Sequence, residues 1–249
     1  MNELSDEVAL VTGATSGLGR RFAAVLASAG ARVVISGRRE DRLKEVVEEI
    51  TASGGRCEAV PFDVADAHAL PGVMDEVEAL FGLVTVLVNN AGINDARRPH
   101  KIPLELVDAV IDTNLRGPFV LSCEVAKRLI AAERGGRIVN ISSMGSFDYH
   151  GNAAALYSTT KAAVNRMTET LAVEWARHGI NVNAIAPGAF ATEMMDGMIE
   201  RVGDPSGAFP RKRLGDPAQL DTSLLYLVSP ASEFVTGTVI KVDDGQMGR

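Results

Sequence analysis

The sequence predicts a doubly wound α/β protein, a parallel sheet of seven strands with helices on both faces. Three observations carry this. Short apolar runs alternate with helix-length amphipathic segments along the whole chain, several of those runs are apolar almost throughout, and the first leads straight into a glycine-rich turn and a helical segment. Alternation of this kind is the βαβ rhythm, and strands lacking a polar face are those that helices cover on both sides.

The elements follow in order. Strand 8–12 precedes helix 20–29, strand 32–36 precedes helix 42–53, and strand 58–62 precedes helix 70–81. Strand 84–89, a long helix 104–132, strand 137–142, helix 156–178 and strand 181–186 come next, and strand 235–242 closes the series after a last helix beyond Pro217. Residues 189–217 break the rhythm and carry Met194, Met195, Met198 and Phe209. Ligands in such sheets bind outside the carboxyl ends of the strands, so this stretch is expected to be a substrate flap. A surface helix pair burying core methionines is the other reading of the same pattern. No internal repeat or low-complexity linker divides the chain, and 1–249 is expected to be one domain.

Composition narrows the partners. The chain of 249 residues is 46% hydrophobic and 23% charged, with a net charge of −7, which disfavours general binding to nucleic acid or an anionic membrane and leaves small molecules. Cys57 and Cys123 are too few and too far apart for a disulfide framework, and four scattered histidines give no metal-ligand spacing. The acidic start at 1–7 is unlike a signal peptide and no stretch approaches a membrane span, so a reduced cytoplasm is the expected compartment.

Two clusters bear on chemistry. Tyr157 and Lys161 stand four residues apart in a helical segment, where this spacing stacks side chains on one face and sets an ammonium beside a phenol. A cation there favours the phenolate and brings the phenol toward proton transfer near neutrality. At the other end of the chain, Thr12, Gly13, Ala14, Thr15, Ser16, Gly17, Leu18 and Gly19 join the first strand to its helix. Glycines allow close backbone approach, and a helix N-terminus offers unpaired N–H groups to a pyrophosphate. The spacing is G-x-x-x-G-x-G, and no Lys-Ser/Thr follows the last glycine, which argues against a P-loop.

With Asn89, Asn90, Ala91 and Gly92 after the fourth strand, Asn114 in a helix, Ser143 after the fifth strand, and Pro187 and Gly188 after the sixth, the chain resembles the short-chain dehydrogenase/reductase family over essentially its full length. The resemblance implies a Rossmann-type fold, a nicotinamide dinucleotide, and reversible oxidation of an alcohol to a ketone or aldehyde. It implies that Tyr157 is the general acid or base, that Lys161 lowers the phenol pKa and binds the nicotinamide ribose, that Ser143 holds the substrate oxygen, and that Asn114 holds a water relay. It places Asp63 and Val64 at the adenine, Asn90 at the adenosine ribose, and Pro187, Gly188 and Thr192 at the nicotinamide carboxamide. Ser143 precedes Tyr157 by fourteen residues, one more than in most relatives, but the strand motif 138–143 selects Ser143 over Met144. Phe147, Tyr149 and His150 occupy the lengthened loop and are expected, with Met194, Met195 and Met198, to line the substrate pocket.

Cofactor choice is read at the end of the second strand, where an acidic side chain would bind the ribose 2′-hydroxyl. Gly37 stands there, followed by Arg38 and Arg39, whose guanidinium groups suit a 2′-phosphate; NADP(H) is favoured and NAD(H) remains open. Met194, Met195 and Phe209 favour an apolar or aromatic carbonyl. A 3-oxoacyl-carrier-protein reductase is the nearest alternative, weakened by Val173 where such reductases carry arginine, though Arg134 and Arg137 could form a carrier patch. A dinucleotide-sensing protein without catalysis is the alternative from another class. The family's habit of assembly implies a homotetramer through the fourth and fifth helices and the C-terminal segment.

Overall fold

The computed structural model describes residues 4–149, 151 and 153–246. Seven parallel strands form one sheet in the order β3-β2-β1-β4-β5-β6-β7, comprising β1 (Val8–Val11), β2 (Arg32–Ile35), β3 (Arg56–Ala59), β4 (Val86–Asn89), β5 (Gly136–Ile141), β6 (Ile180–Pro187) and β7 (Val239–Val242). Between them run α1 (Gly17–Ser28), α2 (Glu40–Ala52), α3 (Leu70–Phe81), α4 (Leu104–Ile111), α5 (Gly117–Ala131), α6 (Ala155–Trp175), α7 (Glu193–Val202) and α8 (Asp221–Val228). The order of strands reverses between β1 and β4, the crevice where such sheets take ligands.

The strands are apolar on both sides because each side feeds a core. Ala9 and Val11 of β1 point into a cluster with Phe22 and Leu26 of α1 and Leu224 of α8, whereas Val8 and Leu10 point into one with Met74, Leu121 and Val164 of α3, α5 and α6. Period-2 alternation thus separates two helical layers rather than core from solvent.

Three expectations shift, each for a physical reason. The third strand lies at Arg56–Ala59, not 58–62: as an edge strand it alternates exposed Arg56 and Glu58 with buried Cys57, and the apolar run that follows contains Pro61, which has no N–H for a ladder. The long helix 104–132 is two helices joined by a π turn, Asp112–Arg116. At its exit a Cβ on Gly117 would stand 2.3 Å from the Val64 carbonyl oxygen, so the wider turn lets the backbone pass tightly beside the residues after β3. Strand seven spans only Val239–Val242, because Thr236 and Gly237 instead bond to Val182 as a turn.

The stretch 189–217 folds as a loop around α7, whose residues are all at least partly exposed, so its methionines are not core. Its two ends are tied by a parallel bridge between Phe190 and Gly215. Among the described residues no helix is long and apolar enough to cross a membrane, and no group of His, Cys, Asp and Glu could hold a metal ion. Cys57 and Cys123 are free thiols, and burial pushes Cys57 up to about 12.

Candidate active site

The carboxyl ends of β1, β2, β4, β5 and β6 open into one cavity of about 760 Å³. Its floor at one end is the glycine turn, through Gly13, Thr15, Ser16, Gly17 and Leu18. A Cβ on Gly19 would stand 2.3 Å from the Gly13 carbonyl oxygen and 2.5 Å from Asn90 Nδ2, which itself donates to the carbonyls of Thr12 and Gly13 at 2.9 and 3.1 Å. Gly19, expected from the sequence to contact the cofactor, does not line the cavity; it lets α1 close onto β1 and β4. Ser16 precedes α1 without a side-chain cap, leaving first-turn N–H groups available to an anion.

At the end of β2, Ser36 Oγ is buried, faces this cavity, and has no hydrogen-bond partner among the described residues. A Cβ on Gly37 would stand 2.6 Å from Thr15 Cγ2, so the place where an acidic residue would reach a ribose is filled by threonine. The two arginines part company. Arg38 is 68% exposed at its side chain, with only a 3.6 Å pair to Asp63 Oδ2. Arg39 is engaged: it donates to Thr15 Oγ1 at 2.7 and 3.1 Å and to Ser16 Oγ at 2.9 Å, and pairs with Glu193 at the start of α7 at 3.0 Å. Val64 is buried, and Asp63 Oδ1 turns back to accept the N–H of Ala65 at 3.0 Å. A turn that no Cβ would fit and a helix start with unpaired N–H groups are the features a dinucleotide would complete.

At the other end stand Ser143, Tyr157 and Lys161. The Ser143 Oγ accepts the N–H of Gly145 at 3.1 Å, which leaves its hydroxyl proton free to act on the Tyr157 side of the same cavity, while Met144, the next residue, is buried. Lys161 Nζ lies 5.6 Å from the Tyr157 ring centroid and donates to the Ile141 carbonyl at 2.7 Å. Asn114, carried on the π turn, exchanges two hydrogen bonds with the Ile93 backbone, at 2.8 and 2.9 Å. A Cβ on Gly92 would stand 3.4 Å from Asn114 Oδ1 and 3.5 Å from Lys161 Nζ, ordinary contact distances that set this loop directly beside both side chains.

Chains of this arrangement are known. A profile of the short chain dehydrogenase family matches residues 7–202. The chain belongs to that family. It is an oxidoreductase acting on CH–OH groups, built on the family's Rossmann-type sheet. Among relatives of this dehydrogenase, the 2-dehydro-3-deoxy-D-gluconate 5-dehydrogenase of Dickeya dadantii is 37% identical over 249 residues, covering 99% of this chain and 97% of that one. The 3-oxoacyl-[acyl-carrier-protein] reductase of a Synechocystis species is 38% identical over 251 residues, with 99% of each chain covered. The crystal structure of a gluconate 5-dehydrogenase from Burkholderia cenocepacia in complex with NADP and tartrate superposes with a TM-score of 0.91 at 33% identity, covering 98% and 96% of the two chains.

Electrostatics at the dehydrogenase site depart from the expectation for Tyr157. Burial holds its phenol above the ordinary range, and the Ser143 hydrogen bond offsets only part of that. Burial depresses Lys161 as well, down to about 8, and its ammonium is aimed at the Ile141 carbonyl. The loop after Ser143 is divided. Tyr149 lines the cavity, but Phe147 does not; its ring lies 4.1 Å under Lys241 Nζ, because the turn Met144–Ser146 swings it toward β7. His150 lies outside the described residues. Pro187, Gly188 and Thr192 line the cavity where α7 begins, with Thr192 Oγ1 capping that helix through the N–H of Met195 at 3.3 Å. Met194, Met195 and Met198 line it too. Sequence reading passed over Gln246, whose Oε1 accepts the N–H of Ala189 at 2.6 Å beside Gly188. Nothing local in the sequence marks it, since the contact joins the chain's end to β6.

Proposed function

We propose that this dehydrogenase interconverts a ketone or aldehyde and the corresponding alcohol, with NADP(H) preferred over NAD(H), and that the substrate's flanking groups are apolar or aromatic. The convergence of Ser143, Tyr157 and Lys161 on one cavity that also holds the glycine turn, with Lys161 Nζ 5.6 Å from the Tyr157 ring centroid, carries the reading. The turn at Gly13–Gly19 and the first N–H groups of α1 would hold the pyrophosphate, Arg38 the 2′-phosphate, Asn90 and Asp63 the adenosine, and Pro187, Gly188 and Thr192 the carboxamide. Held by these residues, a reduced nicotinamide would supply the hydride that the carbonyl carbon takes up.

Tyr157 gives its proton to the carbonyl oxygen, and Ser143 donates a hydrogen bond to the same oxygen as negative charge develops there. The phenolate left behind would lie beside Lys161, whose ammonium would also hold the nicotinamide ribose; the oxidation direction runs in reverse. Asn114, held by the Ile93 backbone, would place a water behind Lys161 through which a proton from solvent reaches the phenolate and restores Tyr157. NADP(H) is supported by Gly37, by the exposed Arg38, and by the NADP-bound gluconate 5-dehydrogenase. Apolar substrate is supported by Ile93, Met194, Met195, Met198 and Phe209 around the substrate end, with 189–217 acting as the flap.

The carrier-protein alternative weakens further, since Arg137 is tied to Glu7 at 3.2 Å and Val173 is exposed. Two free cysteines suit a cytoplasmic setting. Exposed Leu104 on α4 and Phe119 on α5 support the homotetramer. The direct test is reduced-nicotinamide absorbance with NADPH and with NADH against aryl ketones, steroid ketones, β-ketoesters, 3-oxoacyl thioesters and ketosugars. Binding of NADPH without turnover of any carbonyl would move the assignment to the sensing alternative.

A further inference from the structure

Tyr157 lies in the first turn of α6, where backbone N–H groups have no partner within the helix. Ala154, just before that turn, provides no side-chain cap. The cap comes instead from Asp95, in the loop after β4: Oδ2 accepts the N–H of Leu156 at 3.2 Å and Oδ1 the N–H of Tyr157 at 3.3 Å. Asp95 is only 3% exposed, although Arg97 and Arg98 beside it are in solvent. Its aim is set locally. Asn94 Oδ1 accepts the N–H of Ala96 at 3.0 Å, and Ala96 adopts φ of +49°, a left-handed conformation that costs a residue with a Cβ about 1–2 kcal/mol. The chain bears this strain in the turn that sends the carboxylate inward.

The carbonyl side of the same residue is held from the same loop. Thr160 Oγ1 donates to the Tyr157 carbonyl at 2.8 Å, Asn114 Nδ2 donates to Thr160 Oγ1 at 3.3 Å, and Asn114 is held by Ile93 through its N–H and carbonyl. Ile93 is two residues from Asp95, which closes the circuit. One loop therefore fixes both the N–H and the C=O of Tyr157.

We propose that Asp95 is a positioning residue for Tyr157, whose clamp on the first turn of α6 sets the phenol against Ser143 and Lys161. The inference rests on the reading of Tyr157 as proton donor. A misplacement of about 1 Å is enough to cost on the order of 100-fold in rate, so a clamp on the backbone of the donor acts on kcat rather than on cofactor affinity. A carboxylate also complements the positive end of the helix, which an alanine cannot do.

The test compares Asp95→Ala and Asp95→Asn in the full chain. In protein without cofactor, hydrogen–deuterium exchange of the peptide covering the start of α6 is expected to quicken in Asp95→Ala and to be intermediate in Asp95→Asn, which keeps one acceptor oxygen. With NADPH and a substrate, kcat is expected to fall about tenfold or more in Asp95→Ala, with the NADPH Kd within about twofold of wild type, and to recover in part in Asp95→Asn. Equal losses in kcat and NADPH affinity would overturn the positioning role, as would wild-type kcat in Asp95→Ala. If Asp95→Ala fails to fold, Asp95→Asn decides: lower kcat at an unchanged melting temperature supports the clamp, and unchanged kcat overturns it. Tyr157→Phe, run in parallel, separates the two readings. An active Tyr157→Phe sinks the assignment of Tyr157 itself, whereas an inactive Tyr157→Phe beside an active Asp95→Ala sinks only that of Asp95.

Discussion

Lys161 is the residue at which the energetics and the chemistry pull apart. It is 5% exposed, and burial brings it from 10.5 down to about 8. Because the folded value lies below the unfolded one, the native state carries a penalty that is complete below about pH 8 and vanishes above about pH 10.5. At about 1.4 kcal/mol per pH unit the gap corresponds to about 3 kcal/mol, against which the bond to Ile141 returns about 1 kcal/mol. Lys161→Met, similar in length and uncharged, is therefore expected to be about 2 kcal/mol more stable at pH 7, an advantage that shrinks as pH rises toward 10.5, while turnover is lost. Denaturant melts at several pH values check this; a less stable variant at pH 7 would mean the ammonium is better solvated than its burial implies. Tyr157 runs the other way: its raised phenol favours the folded state below the ordinary phenol pKa, and that stability is lost as pH climbs through the folded value. These candidates were legible from spacing and motif, because Tyr157 and Lys161 share a helix face and Ser143 follows a strand. The direction of the phenol shift was not, since it depends on how much solvent the fold removes. Asp95 was equally hidden, being 62 positions from its partner.

Elements carry the cofactor end, and here a strand terminus decides more than any single side chain. Where β2 ends, Thr15 fills the space over Gly37 and Arg39 is drawn across to Ser16 and Glu193, which leaves Arg38 as the guanidinium facing solvent. Arg38→Ala is expected to weaken NADPH binding by about tenfold or more, the scale of a charge-assisted pair at about 1.5–3 kcal/mol, with NADH binding within about twofold of wild type. Fluorescence titration of each dinucleotide reads this, and an equal loss for both would show that Arg38 does not select the phosphate. The helix predicted at 70–81 is the one observed, since its apolar positions recur with helical spacing and glycine ends it. Strand three was displaced because an edge strand shows solvent one face, so the neighbouring apolar run outweighed it in the sequence. The π turn that presents Asn114 had no signal at all; it arises where Gly117 passes the Val64 carbonyl, a contact between segments far apart in sequence.

At the scale of the whole molecule, the alternation of strands and helices made the parallel sheet legible, and right-handed crossovers leave few ways to order its strands. Association is a separate matter, since exposed Leu104 and Phe119 are visible as exposed only once α4 and α5 are placed. Sedimentation velocity is expected to return about four times the chain mass of 26.4 kDa; a monomer would require those side chains to be covered by something else or tolerated in water. The central claim is that Tyr157 passes the proton in a dinucleotide-dependent carbonyl reduction. The most direct measurement is NADPH consumption across the carbonyl panel by the wild type and by Tyr157→Phe side by side. Turnover of at least one carbonyl, reduced by about a thousandfold or more in the phenylalanine variant while NADPH still binds, is the expected result. Equal turnover by the two proteins would contradict it.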